Sequence, residues 1–193
     1  AEAIRERISN PAQWRLVCSA LPVEALPVHS RKHAEWARRH ADRHAHREIL
    51  LTLAGDCRQT HGGRVLACPP GTLLLFDRHE SHDLLYPPDT DGCLHLWIRL
   101  VREIMVATLV SVTLGRARKV RPPVMISSST GLPAAVQEAW AELSNAELPA
   151  DLRRLRITTA VALSLQHLLT RKADAGRDSH ARRVIQAVQQ HIE

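Results

Sequence analysis

The sequence predicts a mainly β domain with C-terminal α-helices, and three observations carry that reading. Short apolar runs separated by glycine and proline turns fill the middle of the chain, from Ile49 to Leu114. Alternation with period two is explicit over Cys93 to Val101, where Leu94, Leu96 and Ile98 interleave with His95, Trp97 and Arg99. Beyond Pro122-Pro123 the apolar spacing lengthens to that of a helix.

A chain of 193 residues is long enough to bury a core and suits one medium domain with a helical appendage. With 45% hydrophobic and 24% charged residues it has a globular composition, which argues against disorder. Aromatic residues make up only 3%, too few for a sheet on which bases stack. The net charge of +6 comes from basic residues spread over five separate stretches, which read as solvated faces rather than one phosphate-binding patch. Cys18, Cys57, Cys68 and Cys93 form no C-x-x-C pair and no signal segment opens the chain, so a reduced cytoplasmic protein with inert thiols is expected. The longest apolar run, Ile104 to Leu114, is too short to span a bilayer and predicts a buried strand, so no membrane partner is expected.

In chain order, Ala1 to Leu26 is punctuated by Pro11 and Pro22 and predicts loops with one or two short strands. Arg31 to Arg47 is polar, rich in alanine and free of proline and glycine, and by propensity alone it is a helix. Ile49 to Leu53 ends at Gly55-Asp56, Val65 to Cys68 ends at Pro69-Pro70-Gly71, and Leu73 to Phe76 follows, three short strands with turns between them. A Ser-rich linker spans Ser127 to Gly131. Leu132 to Leu143 then carries Val136, Ala139 and Trp140 at helical spacing, and Leu152 to Leu169 carries Leu155, Ala162 and Leu163. The centre of that last helix, Ala160 to Leu165, is apolar almost all round, which suits either a helix with two neighbours, one of them a second subunit, or a helix that only covers the barrel. Asp178 or Ser179 caps a further stripe of Val184, Ile185, Val188 and Ile192, which reaches Glu193 without a stop residue. With no initiator Met at the other end, this is the pattern of a piece of a longer protein.

The chemistry concentrates between Asp42 and His82. On a strand, Asp42, His44, His46 and Glu48 share one face, a set of imidazoles and carboxylates that suits a divalent metal or a polar ligand. On a helix, His40, His44 and Glu48 form an exposed stripe instead. The flanks favour the strand: Glu48 precedes Gly55, and Gly63 precedes Pro69-Pro70-Gly71, at spacings set by strand length and by turns that need glycine or proline.

Asp42-x-His44-x-x-x-Glu48 with Gly55, and Gly63 with Pro69 to Gly71 and His82, resemble the two-part signature of cupins, as used by AraC-type transcription regulators to sense small molecules. Asp42 stands where the first family histidine would be, and of the second motif's Pro-x-Gly-x-x-His only His82 is kept. Pro70 to Phe76, Leu94 to Leu100 and the segment 181–192 also match that family's habits in order and spacing. The resemblance implies a cupin-like β-barrel (double-stranded β-helix) over residues 1–126, a helical dimerisation segment over 127–176, and a linker with the first helix of a helix-turn-helix DNA-binding domain over 177–193. It implies a small organic effector bound by Trp36, Asp42, His44, Glu48 and His82. It also implies a homodimer that reaches DNA only through the C-terminal domain, with no catalytic residue and no required cofactor. The alternative is a metal-dependent cupin enzyme, a dioxygenase or isomerase, using His44, Glu48 and His82 as a 2-His-1-carboxylate set with Asp42 as a fourth ligand. A stand-alone sugar-binding or scaffolding barrel is a third reading.

Overall fold

The computed structural model describes residues 2–19, 21, 27–83, 85–101, 104–120, 124–127, 132–142 and 148–170. Most of the expected 127–131 linker and the whole of 177–193, with the Val184 to Ile192 stripe, lie outside the described residues.

The chain begins with α1 (Glu2–Ser9), a 3-10 turn at Pro11–Gln13 and β1 (Arg15–Val17), then α2 (Arg31–His40) and β2 (Ala41–Asp42). The strands β3 (Arg47–Ala54), β4 (Cys57–His61), β5 (Arg64–Cys68), β6 (Thr72–Phe76) and β7 (His82–Asp83) follow. The longest strands, β8 (Cys93–Val101) and β9 (Ile104–Thr113), precede β10 (Arg116–Lys119) and β11 (Val124–Ser127), and α3 (Ala134–Glu142) and α4 (Ala150–Thr170) complete the described chain. One sheet runs β1-β6-β3-β8-β9-β10 with β11 also on β9, and a smaller one runs β2-β7-β4-β5. The fold is mostly β with a C-terminal helix, as the sequence implies. The sheets are arranged in a jelly-roll-like manner and do not close into the expected barrel.

Period two explains why the large sheet is buried on both faces. Ile49, Leu51 and Leu53 of β3 point one way with Leu73, Leu75, Leu96, Ile98 and Leu109, and pack against Val136 and Trp140 of α3 and Ile157, Ala160, Val161 and Leu165 of α4. Leu50 points the other way with Leu74, Phe76, Cys93, Val110 and Val112, and meets Cys57, Leu66 and Cys68 of the small sheet. Each fully buried leucine contributes about 1.5–3 kcal/mol of transfer free energy, so these two layers are the principal cohesion of the fold. Trp140 joins them to the helices: its indole N–H donates to Ser164 Oγ at 2.8 Å, and its carbonyl accepts from Arg47 at 3.2 Å. No described helix is long and apolar enough to cross a membrane.

Two local expectations are corrected. The first residues are not irregular: Ala3 to Ile8 are helix formers placed ahead of Pro11, α1 forms, and Ile8 is buried in the helical-side core. The extended segment expected from Asp42 to Glu48 forms only at its ends. Helix propensity prevails as far as His40, with the Ser30 hydroxyl capping α2 at His33 N. Between β2 and β3, residues 43–46 form a bend. Its partner strand β7 is two residues long, so no ladder is available, and His44 O accepts instead from the His79 backbone N–H at 2.8 Å.

Gly55 illustrates how the turns hold register. Its φ is +75°, and a Cβ there would lie 2.2 Å from the Gly92 carbonyl oxygen, whereas Gly62 (φ +56°) has open space. Gly62→Ala is expected to cost about 1–2 kcal/mol from left-handed strain alone. Gly55→Ala is expected to cost about 1–3 kcal/mol more, because backbone must move. Urea unfolding of the two variants checks the difference, and equal costs would contradict the close approach.

Candidate functional site

The inner face of the large sheet is polar at one end. Glu48 lies on the same side of β3 as Leu50, and the ladders set Glu48 opposite Phe76 on β6 and Arg99 on β8. Three imidazoles surround its carboxylate. His46 Nε2 is 3.2 Å from Oε1, and His44 Nε2 and His82 Nε2 are each 3.4 Å from Oε2. Arg99 Nε stands 3.9 Å from Oε1. Each carboxylate oxygen therefore faces two positive or potentially positive groups, which matches its accepting capacity.

The rings are held from behind. His82 Nδ1 is 3.0 Å from Glu80 O, and His44 Nδ1 is 2.9 Å from His46 O. A carbonyl only accepts, so both Nδ1 atoms donate and both Nε2 atoms are directed to the carboxylate side. His82 also stacks on Phe76 with centroids 4.3 Å apart, and His44 stacks on His46 at 3.7 Å. The bend at 43–46 thus delivers His44 and His46 to the same carboxylate by ring stacking, without the strand alternation expected from the sequence.

A cavity of about 310 Å³ opens over this cluster, lined by Asp42, His44, His46, Glu48 and His82 together with Asp83, Tyr86, Trp97, Arg99, Thr108, Val110, Ala117 and Lys119. Thr108 is buried and its hydroxyl has no hydrogen-bond partner among the described residues. Asp42 lies at the rim, its Oδ1 accepting from the Arg43 N–H at 2.7 Å. Trp36 lies elsewhere: on α2 it stacks on His40 at 4.4 Å and meets His33 edge-on at 5.8 Å, away from the residues that line the cavity. The helix is tied to the site by a buried pair, His33 Nε2 to Asp83 Oδ2 at 2.9 Å, with Thr60 N donating to the same oxygen.

Among the lining residues that sequence reasoning did not single out are Tyr86, Arg99, Thr108 and Lys119. Arg99 carried a usable signal, since it shares with Trp97 one side of an alternating strand. Thr108 sits in a run that reads as uniformly apolar, and only the β8–β9 ladder, which pairs it with Trp97, places it in the site.

The site shifts proton affinities in both directions. Burial alone would raise Glu48, but the contact with His82, the charge of His44 and the hydrogen bond from His46 outweigh it and hold the carboxyl below its ordinary value. Burial alone would lower His82, but its contact with Glu48, its bond to the Glu80 carbonyl and the charge of Asp42 raise it. The donor atoms of His44, His46 and Glu48 lie within 4.8 Å of one another, so a divalent ion fits the set, and the carbonyls behind His44 and His82 supply the orientation that metal-bound imidazoles need.

A family model described as "AraC-like ligand binding domain" matches residues 27–157, about two thirds of the chain. No curated protein and no solved structure matches.

The two shifts predict a stability optimum. Glu48 contributes stability above its ordinary value of 4.5 that is lost as pH falls through its lowered folded value. His82 contributes stability fully present below its ordinary 6.5 and lost as pH rises through its raised value. Both contributions are complete between 4.5 and 6.5, and urea midpoints measured from about pH 4 to about pH 8 are expected to peak there. In Glu48→Gln that peak is expected to flatten, and a peak unchanged in Glu48→Gln would contradict the assignment.

Proposed function

The chain belongs to the AraC-like ligand-binding domain family, and from that premise we propose that it senses a small organic effector in the cavity over Glu48 and controls DNA binding through that occupancy. The observation that carries the reading is one buried carboxylate with three imidazoles and Arg99 at the mouth of a cavity whose walls include Trp97 and Tyr86. Apolar walls supply affinity and a few fixed polar groups supply orientation. Thr108 Oγ1 is buried without a hydrogen bond, so an effector carrying a hydroxyl or carboxyl group gains a bond there that the protein does not already use. Arg99 and Lys119 favour an anionic group on that effector.

An effector shifts a regulator only by binding one arrangement better than another. The elements able to report occupancy are α2, held to the cavity by His33–Asp83, and the bend 43–46, held by the Glu48 cluster. On this reading the helices pair two subunits. Leu152 and Leu155 of α4 are large apolar side chains that are 49% and 61% exposed, which supports a partner there. DNA contact belongs to a helix-turn-helix unit beyond the described residues, with two such units set over adjacent half-sites by the dimer. Trp36 is retained only as part of α2, the element that would move.

The second reading, a metal-dependent dioxygenase or isomerase using His44, Glu48 and His82, rests on the two Nε2 atoms that stand 3.4 Å from Glu48 Oε2, although the donor group within 4.8 Å contains His46 rather than His82. Stoichiometric iron, manganese or zinc in purified protein, lost in His44→Ala and His82→Ala, would favour it.

Thermal-shift screening of sugars, organic acids and aromatic acids, followed by calorimetry of each hit, tests the sensor. A compound that stabilises the wild type is expected to lose at least about tenfold in affinity in Arg99→Ala or Glu48→Gln, corresponding to the loss of about 1.4 kcal/mol. Leu155→Glu is expected to convert a particle of about twice 21.6 kDa into a monomer. Hits that bind all cavity variants equally, or a monomeric wild type, would contradict the proposal.

A further inference from the structure

Beneath the Trp97 and Tyr86 wall of the cavity a second set of donors converges. Cys57 on β4 and Cys93 and His95 on β8 place two sulfurs and an imidazole nitrogen within 4.8 Å of one another, and all three residues are buried. Cys57 Sγ is 3.1 Å from His95 Nε2. Cys68 stands opposite Cys57 in the β4–β5 ladder and its thiol contacts that of Cys57. None of the four cysteines forms a disulfide; Cys57 and Cys93 meet here across the two sheets, and Cys68 lies beside Cys57, outside the group within 4.8 Å.

His95 is prepared for ligation. It is fully buried, with no ring nitrogen left to solvent. Tyr86 Oη lies 2.7 Å from its Nδ1 and accepts from the Trp97 indole N–H at 2.8 Å. That chain fixes the ring with Nε2 toward the sulfurs, the outer-sphere support typical of metal-bound histidine. Cys93 Sγ is 3.4 Å from the carbonyls of Asp56 and Asp91, which fix the side chain's position on β8.

We propose that Cys57, Cys93 and His95, with Cys68 as fourth donor, form a closed site for zinc(II) that staples the small sheet to the large one. Three thiolates and one imidazole make a tetrahedral shell of the kind structural zinc takes. On binding, each ligating thiol releases its proton to solvent. His95 coordinates through Nε2 and keeps its proton on Nδ1, donated to Tyr86 Oη. The soft donor set distinguishes this site from the His44–Glu48 cluster, which offers only nitrogen and oxygen. The inference is independent of the effector reading, because no donor of the zinc site lines the cavity.

The reduced chain, freed of metal, is titrated with cobalt(II) and then zinc(II). The expected result is one cobalt per chain with thiolate-to-cobalt charge-transfer absorption and tetrahedral ligand-field bands, all displaced by zinc, and a thermal midpoint raised by several degrees in zinc. Cys57→Ser and His95→Gln are each expected to weaken zinc by at least about tenfold, while His44→Ala retains the thiolate absorption. If a variant fails to fold, the wild-type cobalt spectrum decides by itself. No thiolate absorption, absorption that survives Cys57→Ser and Cys93→Ser, or a Cys57–Cys68 disulfide as the stable form of the freshly purified chain would overturn the proposal.

Discussion

The polar end of the cavity is organised around one buried carboxylate. Glu48 is 8% exposed, at the start of the central strand of the large sheet, where an unpaired charge would carry a penalty of several kcal/mol. It is tolerated because its two oxygens are shared among His44, His46, His82 and Arg99. The dependence runs both ways. The carboxylate draws the His44 and His46 rings of the 43–46 bend inward, and the imidazoles with Arg99 hold the carboxylate charged between two sheets.

The rest of the fold provides the rigid setting that this arrangement requires. β3 is buried on both faces, with leucines toward the helices and toward the small sheet alternately, so it cannot slip by one residue without moving Glu48 into the helical layer and Arg47 into the cavity. Arg47 supplies the complementary constraint. It projects to the other face, pairs with Asp77 at 2.9 Å and donates to the Trp140 carbonyl, which locks the strand end to α3. A helix pair thus docks on the outer face and a polar cavity opens on the inner face of the same strand.

How much of this was legible in the sequence follows from the range of each interaction. Alternation in Cys93–Val101 and the Gly and Pro turns gave the strands, because both are local. The cupin-like spacing brought out Asp42, His44, Glu48 and His82, and the structure places all four along one cavity. The Asp42–Glu48 segment was misread as continuous strand because its geometry depends on a partner, β7, too short to pair with it. The polar side of β8 offered a subtler lesson: His95, Trp97 and Arg99 look solvent-facing by alternation, yet a second sheet covers that side and leaves His95 fully buried. The meeting of Cys57, Cys68 and Cys93 was invisible for the same reason, since no short spacing joins residues brought together by packing between sheets.

The account is tested most directly by the protonation of His82, read by long-range proton–nitrogen NMR of the histidine rings across a pH titration. With Glu48 ionised beside it, His82 is expected to titrate above the ordinary histidine value, and its midpoint is expected to move down in Glu48→Gln. A His82 midpoint that is ordinary in the wild type and unmoved in Glu48→Gln would contradict the claim that this carboxylate organises the site.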